Sequence, residues 1–186
     1  EKIITSAAFR RLQDKTQVFP LDKSDFIRTR LTHSMETATI AKRLAGMIVK
    51  NINIFQKSDP HKIENEMPAN IENIMMCAGL LHDLGNPPFG HFGEVVIGEW
   101  FETHLGNKAF CFRGKPVSSY LSKQMKQDLA HFEGNAQTVR ILTKLDSSND
   151  SYGMNLTASV LNTLIKYPTD SLNFDGDSEN IKLHKP

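Results

Sequence analysis

The strongest constraint on this chain is an apolar segment that ends abruptly in a His-Asp pair. Residues 75–81 are suited to a buried helix, and His82 and Asp83 follow at its last turn. Gly85 is predicted to take the left-handed conformation that closes many helices. The dipeptide Pro87–Pro88 prevents the helix from continuing. Two ionisable side chains are therefore expected at a helix end, where a ligand can reach them.

Further ionisable side chains flank this helix break. His91 and Glu94 lie three residues apart, which places them on one face of a helix that begins after the prolines. His33 lies at the predicted start of an earlier helix. One histidine on an apolar helix is a core residue about as often as a ligand, but an aspartate is costly to bury unpaired. His33, His82 and Asp83 together suit Mn, Mg, Fe, Ni or Zn, and the choice among these metals stays open.

The remaining sequence indicates an all-α fold. Residues 3–19 are predicted to form a short helix with an extended exit, and Thr32 is predicted to cap the next helix. Helical periodicity predicts longer helices over residues 32–50, 71–83, 91–105, 118–145 and 156–167. Polar loops are predicted at residues 51–70, 106–117 and 169–186. No run of alternating apolar residues indicates a large sheet.

One segment that is otherwise apolar contains residues that a simply packed helix would not carry. Gly134 and four polar residues interrupt the apolar run of residues 118–145, and such conflicts are expected at functional sites. The four polar residues are His131, Glu133, Asn135 and Gln137.

Composition narrows the class of protein. The 186 residues suffice for one domain with a core, and the net charge of +1 provides no global field that would attract nucleic acid or an anionic membrane. Two cysteines do not form a disulfide framework, so a reducing, cytoplasmic compartment is expected. No apolar run reaches membrane-spanning length, and no signal peptide opens the chain. No membrane partner is predicted.

The motifs carry a family resemblance. His33 followed by His82–Asp83 resembles the HD superfamily of metal-dependent phosphohydrolases. Four longer segments, in the same order, resemble the deoxyguanosine triphosphate triphosphohydrolases (dGTPases): residues 8–19, 28–34, 82–91 and 131–137. The resemblance extends over about residues 4–167.

The resemblance implies an incomplete HD-domain helical bundle at residues 1–167, with residues 168–186 as a polar tail leading to a missing C-terminal region. The family pattern has a further metal-binding aspartate on a later helix, so a fragment is expected. The resemblance implies that His33, His82 and Asp83 bind a divalent metal ion, and that His91 and Glu94 are catalytic. It also implies a set of substrate-binding residues: Gln17 on the deoxyribose, Lys166 and Tyr167 on the phosphates, and Asn135, Arg10 and Arg11. From the residues alone, Arg10, Arg11 and Lys15 are more simply interpreted as a solvated face.

The implied reaction is hydrolysis of a deoxynucleoside triphosphate, dGTP foremost, to a deoxynucleoside and inorganic triphosphate. The residue types by themselves support only a metal-dependent phosphohydrolase. Two alternatives remain open. The protein could be another HD-superfamily nucleotidase or phosphodiesterase, or it could be a non-catalytic subunit that senses nucleotides or binds nucleic acid. The resemblance further implies a homo-oligomer, a hexamer or a tetramer, with a nucleotide effector or single-stranded DNA as additional partners.

Overall fold

An antiparallel pair of helices lies at the centre of the fold. The computed structural model describes residues 1–16, 26–55, 67–146, 152–166 and 169–173. Its helices are α1 (Lys2–Thr5), α2 (Ala7–Arg10), α3 (Arg30–Phe55), α4 (Met67–Leu81), α5 (His91–Gly106), α6 (Lys123–Ala130), α7 (Gly134–Arg140) and α8 (Ala158–Leu164). The strands β1 (Cys111–Phe112) and β2 (Lys115–Pro116) form an antiparallel hairpin. The predicted all-α class is confirmed.

Helices α3 and α4 pack so closely that a glycine is required between them. A Cβ atom on Gly79 would lie 2.5 Å from the Cα atom of Ala38, so α4 contacts the backbone of α3 directly. Gly46, later in α3, faces Glu72, earlier in α4, which makes the pair antiparallel. This packing brings the first turn of α3 beside the last turn of α4, where the predicted metal ligands lie.

The core is built around the α3–α4 pair. Buried leucines at the end of α4 contact apolar residues of the N-terminal helices on one side and residues from α7 to α8 on the other. The buried residues of the core include Ile3, Phe9, Leu12, Ala38, Leu80, Leu81, Leu84, Leu142, Val160 and Leu164. The turn after α4 is therefore anchored by buried side chains, with Leu84 1% exposed.

Two local predictions at the helix ends were wrong. The positive φ angles near the proline break belong to Phe89 and Gly90, whereas Gly85 is required for a packing reason. A Cβ on Gly85 would lie 2.2 Å from both the carbonyl oxygen of Gly134 and the amide nitrogen of Thr138. Thr32 does not cap α3, because the helix already begins at Arg30.

The predicted single helix over residues 118–145 was also wrong. A 3₁₀ helix (Val117–Tyr120) is followed by α6, α7 and a π-helical turn (Ile141–Leu145). The break has a local cause, since Glu133 caps α7 by accepting a hydrogen bond from the backbone N–H of Asn135 at 3.2 Å. Such side chains compete with helical backbone hydrogen bonds and favour helix ends.

The other boundaries differ less. The predicted loop at residues 106–117 contains the β1–β2 hairpin. The predicted loop at residues 51–70 is shorter, since α3 extends to Phe55 and α4 begins at Met67. Helix α8 covers only the central part of residues 156–167. Within the described parts of the chain, none of the helices has the length and apolar character needed to cross a membrane.

Candidate metal centre and active site

The structure brings the three predicted metal ligands together from two helices. His33 lies in the first turn of α3, where its backbone N–H donates to the carbonyl of Thr29 at 3.0 Å. His82 and Asp83 follow the last residue of α4. One ligand atom from each of the three residues lies within 4.8 Å of the others. The Nε2 atoms of His33 and His82 are 4.0 and 3.5 Å from the carboxylate oxygens of Asp83.

The orientation of His82 is fixed by its own helix. Its Nδ1 atom lies 2.8 Å from the carbonyl oxygen of Gly79, which can only accept a hydrogen bond. Nδ1 is therefore the protonated nitrogen, and the lone pair of Nε2 points toward Asp83. A histidine held in this way by its second nitrogen is the arrangement that metal ligands usually show.

Asp83 is buried, and each of its carboxylate oxygens has a donor. Oδ2 accepts a hydrogen bond from the guanidinium of Arg30 at 2.7 Å, and Oδ1 accepts one from the side-chain amide of Asn86 at 2.7 Å. The side chain of Arg30 is only 5% exposed. It therefore pairs with a metal-ligand candidate and does not project toward solvent as a phosphate-binding side chain would.

His91 and Glu94 form a second pair on the first turn of α5. The Nδ1 atom of His91 lies 2.7 Å from Oε2 of Glu94, so the carboxylate orients the imidazole. Glu94 is buried, whereas the side chain of His91 is 82% exposed. The other oxygen of Glu94 accepts a hydrogen bond from the backbone N–H of Gly134 at 2.8 Å. The imidazole is thus held at one nitrogen and accessible at the other.

Gly134 connects the metal-ligand cluster with the His91–Glu94 pair. A Cβ atom at this position would lie 2.2 Å from the side-chain oxygen of Asn86 and 2.6 Å from Oε1 of Glu94. Asn86 orients Asp83, and Glu94 orients His91. Gly134, at the start of α7, therefore lies against one side chain from each group, Asn86 and Glu94.

A cavity of about 740 Å³ lies between α6, α7 and residues 164–166 and 169–171. Asn135 and Lys166, two of the predicted substrate-binding residues, both line it. The Nδ2 atom of Asn135 donates to Oε1 of Glu133 at 2.6 Å, which fixes the orientation of the amide. The wall of the cavity carries both apolar and polar side chains, including Leu121, Met125, Leu129, His131, Gln137 and Val139. Its volume lies in the range of small-molecule sites.

Two of the other predicted substrate-binding residues, Arg10 and Arg11, do not line this cavity. The guanidinium of Arg10 donates to the carbonyl of Thr5, within the N-terminal segment. Arg11 is exposed on the 3₁₀ helix Arg11–Asp14. Gln17 and Tyr167 lie outside the described residues.

Lys15 was missed as a site residue by the sequence reasoning. Its ammonium group donates to the main-chain carbonyl of Asn86 at 2.9 Å and approaches that of Leu84 at 3.5 Å. Burial lowers the pKa of Lys15 from its ordinary value, and the charges of Arg30 and Arg11 lower it further. The sequence signal was weak but present, since Lys15 lies within residues 8–19, one of the four segments that carry the family resemblance.

Comparison with known proteins gives two findings. Residues 30–111 match the family described as HD domain. A deoxyguanosinetriphosphate triphosphohydrolase-like protein of Listeria monocytogenes is 51% identical over 172 residues, which cover 92% of this chain and 36% of the relative. The protein of the same name from Listeria innocua matches equally, at 51% identity with the same coverage. A deoxyguanosinetriphosphate triphosphohydrolase of Yersinia enterocolitica is 35% identical over 204 aligned positions, 100% of this chain and 39% of the relative. The chain thus spans 36% to 39% of the length of these relatives.

Proposed function

Residues 30–111 match the HD domain, and we propose that this chain belongs to the HD-domain proteins and carries the site of a metal-dependent phosphohydrolase acting on deoxynucleoside triphosphates, dGTP foremost. One observation carries the proposal: His33, His82 and Asp83 converge within 4.8 Å. The names of the relatives support the triphosphohydrolase activity and the guanine preference.

The residues present fit a divalent metal ion. Two imidazole nitrogens and one carboxylate are ligands that Mn, Mg, Fe, Ni or Zn accept, with different preferences. Gly79 orients His82, and Arg30 with Asn86 orients Asp83. When bound, the metal ion would withdraw charge from phosphate oxygens and lower the pKa of a water molecule.

His91 is the side chain that would move a proton in the reaction. Glu94 holds its Nδ1 atom at 2.7 Å, which leaves Nε2 to face a substrate. Histidine can both take up and release a proton near neutral pH. His91 would therefore remove a proton from the attacking water or donate one to the departing 5′-oxygen. Glu94 stabilises the charged imidazolium, which is formed when His91 removes a proton and is the starting form when His91 donates one.

The cavity beside α7 is the proposed binding space for the nucleotide. The ammonium of Lys166 suits a phosphate group, and the amide of Asn135 suits a hydroxyl group or a base edge. Apolar residues on the wall, such as Leu121 and Leu129, suit the flat faces of a base. Gln17, Tyr167, Arg10 and Arg11 keep their proposed substrate roles on the resemblance alone.

In the proposed reaction, a water oxygen attacks the α-phosphorus and the bond from that phosphorus to the 5′-oxygen breaks. The proton lost by the water balances the proton gained by the 5′-oxygen. The products are a deoxynucleoside and inorganic triphosphate. Homo-oligomerisation as a hexamer or a tetramer, a nucleotide effector and single-stranded DNA belong to the same proposal and are supported by the resemblance alone.

Product analysis in labelled water tests the proposal. The full-length protein is incubated with Mn²⁺ and dGTP in ¹⁸O-water, and the products are identified by mass spectrometry. We expect unlabelled deoxyguanosine and triphosphate that carries one ¹⁸O atom. Monophosphate products would instead indicate another HD-superfamily nucleotidase, and binding without turnover would indicate a nucleotide sensor. Either outcome contradicts the proposal.

The His91→Ala variant tests the role of the imidazole. Loss of general acid–base catalysis lowers rates by about 10²- to 10⁴-fold, and we expect a fall of that size in kcat. His104→Ala is the matched control, since His104 lies on the same helix and its Nδ1 is hydrogen-bonded to the carbonyl of Trp100. Its kcat should equal that of the unmodified protein. If both variants retain full turnover, His91 does not act on a proton.

A further inference from the structure

The main chain and side chain of Lys15 contact both elements that supply the metal ligands. The carbonyl oxygen of Lys15 accepts a hydrogen bond from the backbone N–H of Arg30, the first residue of α3, at 2.9 Å. Its ammonium group donates to the carbonyl of Asn86, in the turn after α4, at 2.9 Å. A β-bridge between Thr16 and Thr29 continues the first contact. One residue thus connects the start of α3 with the turn that carries Asp83.

The turn after α4 presents carbonyl groups to the side chain of Lys15. The ammonium of Lys15 donates to the carbonyl of Asn86 at 2.9 Å and lies 3.5 Å from that of Leu84, and the side chain is half-buried. Both carbonyl groups lie beyond Leu81, the last residue of α4, in a turn outside the regular helix. Lys15 therefore holds main-chain atoms and does not extend as a free phosphate-binding cation.

The contact with Asn86 leads directly to a metal ligand. The side-chain amide of Asn86 donates to Oδ1 of Asp83 at 2.7 Å, while its main-chain carbonyl is the acceptor for Lys15. Displacement of the carbonyl would rotate the residue that orients the carboxylate. His33 lies one turn after Arg30, whose N–H is held by the other end of Lys15.

We propose that Lys15 is a positioning residue that holds His33 and Asp83 at the separation a metal ion requires. Lys15 lies outside residues 30–111, which match the HD domain, so the N-terminal segment supplies part of the support of the metal centre. The inference rests on the metal centre of the proposed function but not on the substrate or the reaction.

The test measures Mn²⁺ affinity by electron paramagnetic resonance titration of the full-length protein. Lys15→Met keeps the length of the side chain and removes the donor. Loss of a residue that orients metal ligands commonly weakens affinity by about 10- to 100-fold, and we expect a loss of that size. Lys15→Arg, which keeps a charged donor, should recover most of the affinity. Lys42→Met, which replaces an exposed lysine on α3, is the control and should bind Mn²⁺ as the unmodified protein does.

A second measurement needs no metal ion. Hydrogen exchange of the metal-free protein should be faster at residues 82–86 in Lys15→Met than in Lys42→Met, because the turn has lost its anchor. Should Lys15→Met not fold, Lys15→Gln replaces it in both measurements, and its affinity should be intermediate. The inference is overturned if Lys15→Met binds Mn²⁺ as tightly as Lys42→Met, or if Lys15→Arg is as weak as Lys15→Met.

The outcome for Lys15 can be separated from that for the proposed function. If the unmodified protein binds Mn²⁺ through His82 but does not hydrolyse dGTP, the proposed function fails and the Lys15 measurements still decide the inference. If His82→Ala binds Mn²⁺ as the unmodified protein does, the metal centre is elsewhere and both proposals are contradicted.

Discussion

Gly134 is the residue at which the metal-ligand cluster and the His91–Glu94 pair meet. Replacement by alanine would force a Cβ to within 2.2 Å of the side-chain oxygen of Asn86 and 2.6 Å of Oε1 of Glu94. Because both side chains orient other functional groups, we expect Gly134→Ala to lower kcat by at least about tenfold. Overpacking of this kind also destabilises proteins by about 1–3 kcal/mol. Steady-state kinetics and urea unfolding of the full-length protein measure the two effects.

Gly106→Ala is the control for this substitution. Gly106 is the last residue of α5, and a Cβ there would meet no atom within 4 Å. Alanine is favoured over glycine in helices by up to about 1 kcal/mol, so this variant should be as active as the unmodified protein and no less stable. Equal kinetics for the two glycine variants would show that the contact at Gly134 has no functional importance.

At the scale of single residues, the sequence predicted the cluster of candidate ligands better than the contacts around it. That His33, His82 and Asp83 lie together was predictable because chemically distinctive side chains lie at helix ends, whereas their binding of a metal ion stays a prediction. The partners of Lys15 were not predictable, because they are main-chain carbonyls as far as 71 residues along the chain. The pairing of Arg30 with Asp83 was not predictable either, since the two side chains are 53 residues apart in the sequence. Partners that lie so far along the chain leave no pattern in the sequence.

At the scale of helices, three elements agreed closely with the sequence pattern. Helices α3, α4 and α5 were predicted within about five residues of their ends, since helical periodicity marks their interiors and proline or polar residues mark their boundaries. The break between α6 and α7 was not predicted. The apolar pattern continues across it, and the break depends on Glu133, whose side chain caps α7 and lies in the buried interior.

Ser171 is connected to α6 by a small hydrogen-bond network, which we expect to affect substrate binding. The hydroxyl of Ser171 donates to Oδ1 of Asp128 at 2.6 Å and accepts from the amide of Gln124 at 2.7 Å. Asp128 and Ser171 both line the cavity. Ser171→Ala removes both bonds, and a net loss of about 0.5–1.5 kcal/mol raises KM by about two- to tenfold.

Because this network lies on the wall and not at the reacting atoms, kcat should change little in Ser171→Ala. Ser119→Ala is the control, since the hydroxyl of Ser119 donates only locally, to the carbonyl of Pro116 at 2.7 Å. Initial rates over a range of dGTP concentrations separate KM from kcat for both variants. A fall in kcat at unchanged KM would contradict a role of this cavity in binding the nucleotide.

At the scale of the whole molecule, the proposed functional unit extends beyond the HD-domain match. Residues 30–111 include His33, His82 and Asp83 and the His91–Glu94 pair. Lys15 supports the cluster from the N-terminal side, and Gly134 contacts it from α7. The four motifs of the dGTPase resemblance fall on these three regions, which explains why the resemblance was more informative than the His-Asp pair alone.

The placement of the ligands on separate helices predicts that metal binding and folding are linked. An unfolded chain would not hold His33 beside His82 and Asp83, so Mn²⁺ should bind the folded state selectively. Such binding stabilises a protein by RT ln(1 + [L]/Kd), about 2.7 kcal/mol at a hundredfold excess over Kd. Addition of Mn²⁺ should therefore raise the midpoint of urea unfolding, and a chelator should reverse the change.

His33→Ala should abolish the rise in the unfolding midpoint, whereas His104→Ala, remote from the cluster, should keep it. Without metal the protein should stay folded, because the Arg30–Asp83 ion pair of 2.7 Å still connects α3 with the turn after α4. An equal increment in His33→Ala and the unmodified protein would mean that Mn²⁺ acts at another place, and the two-helix metal centre would then be wrong.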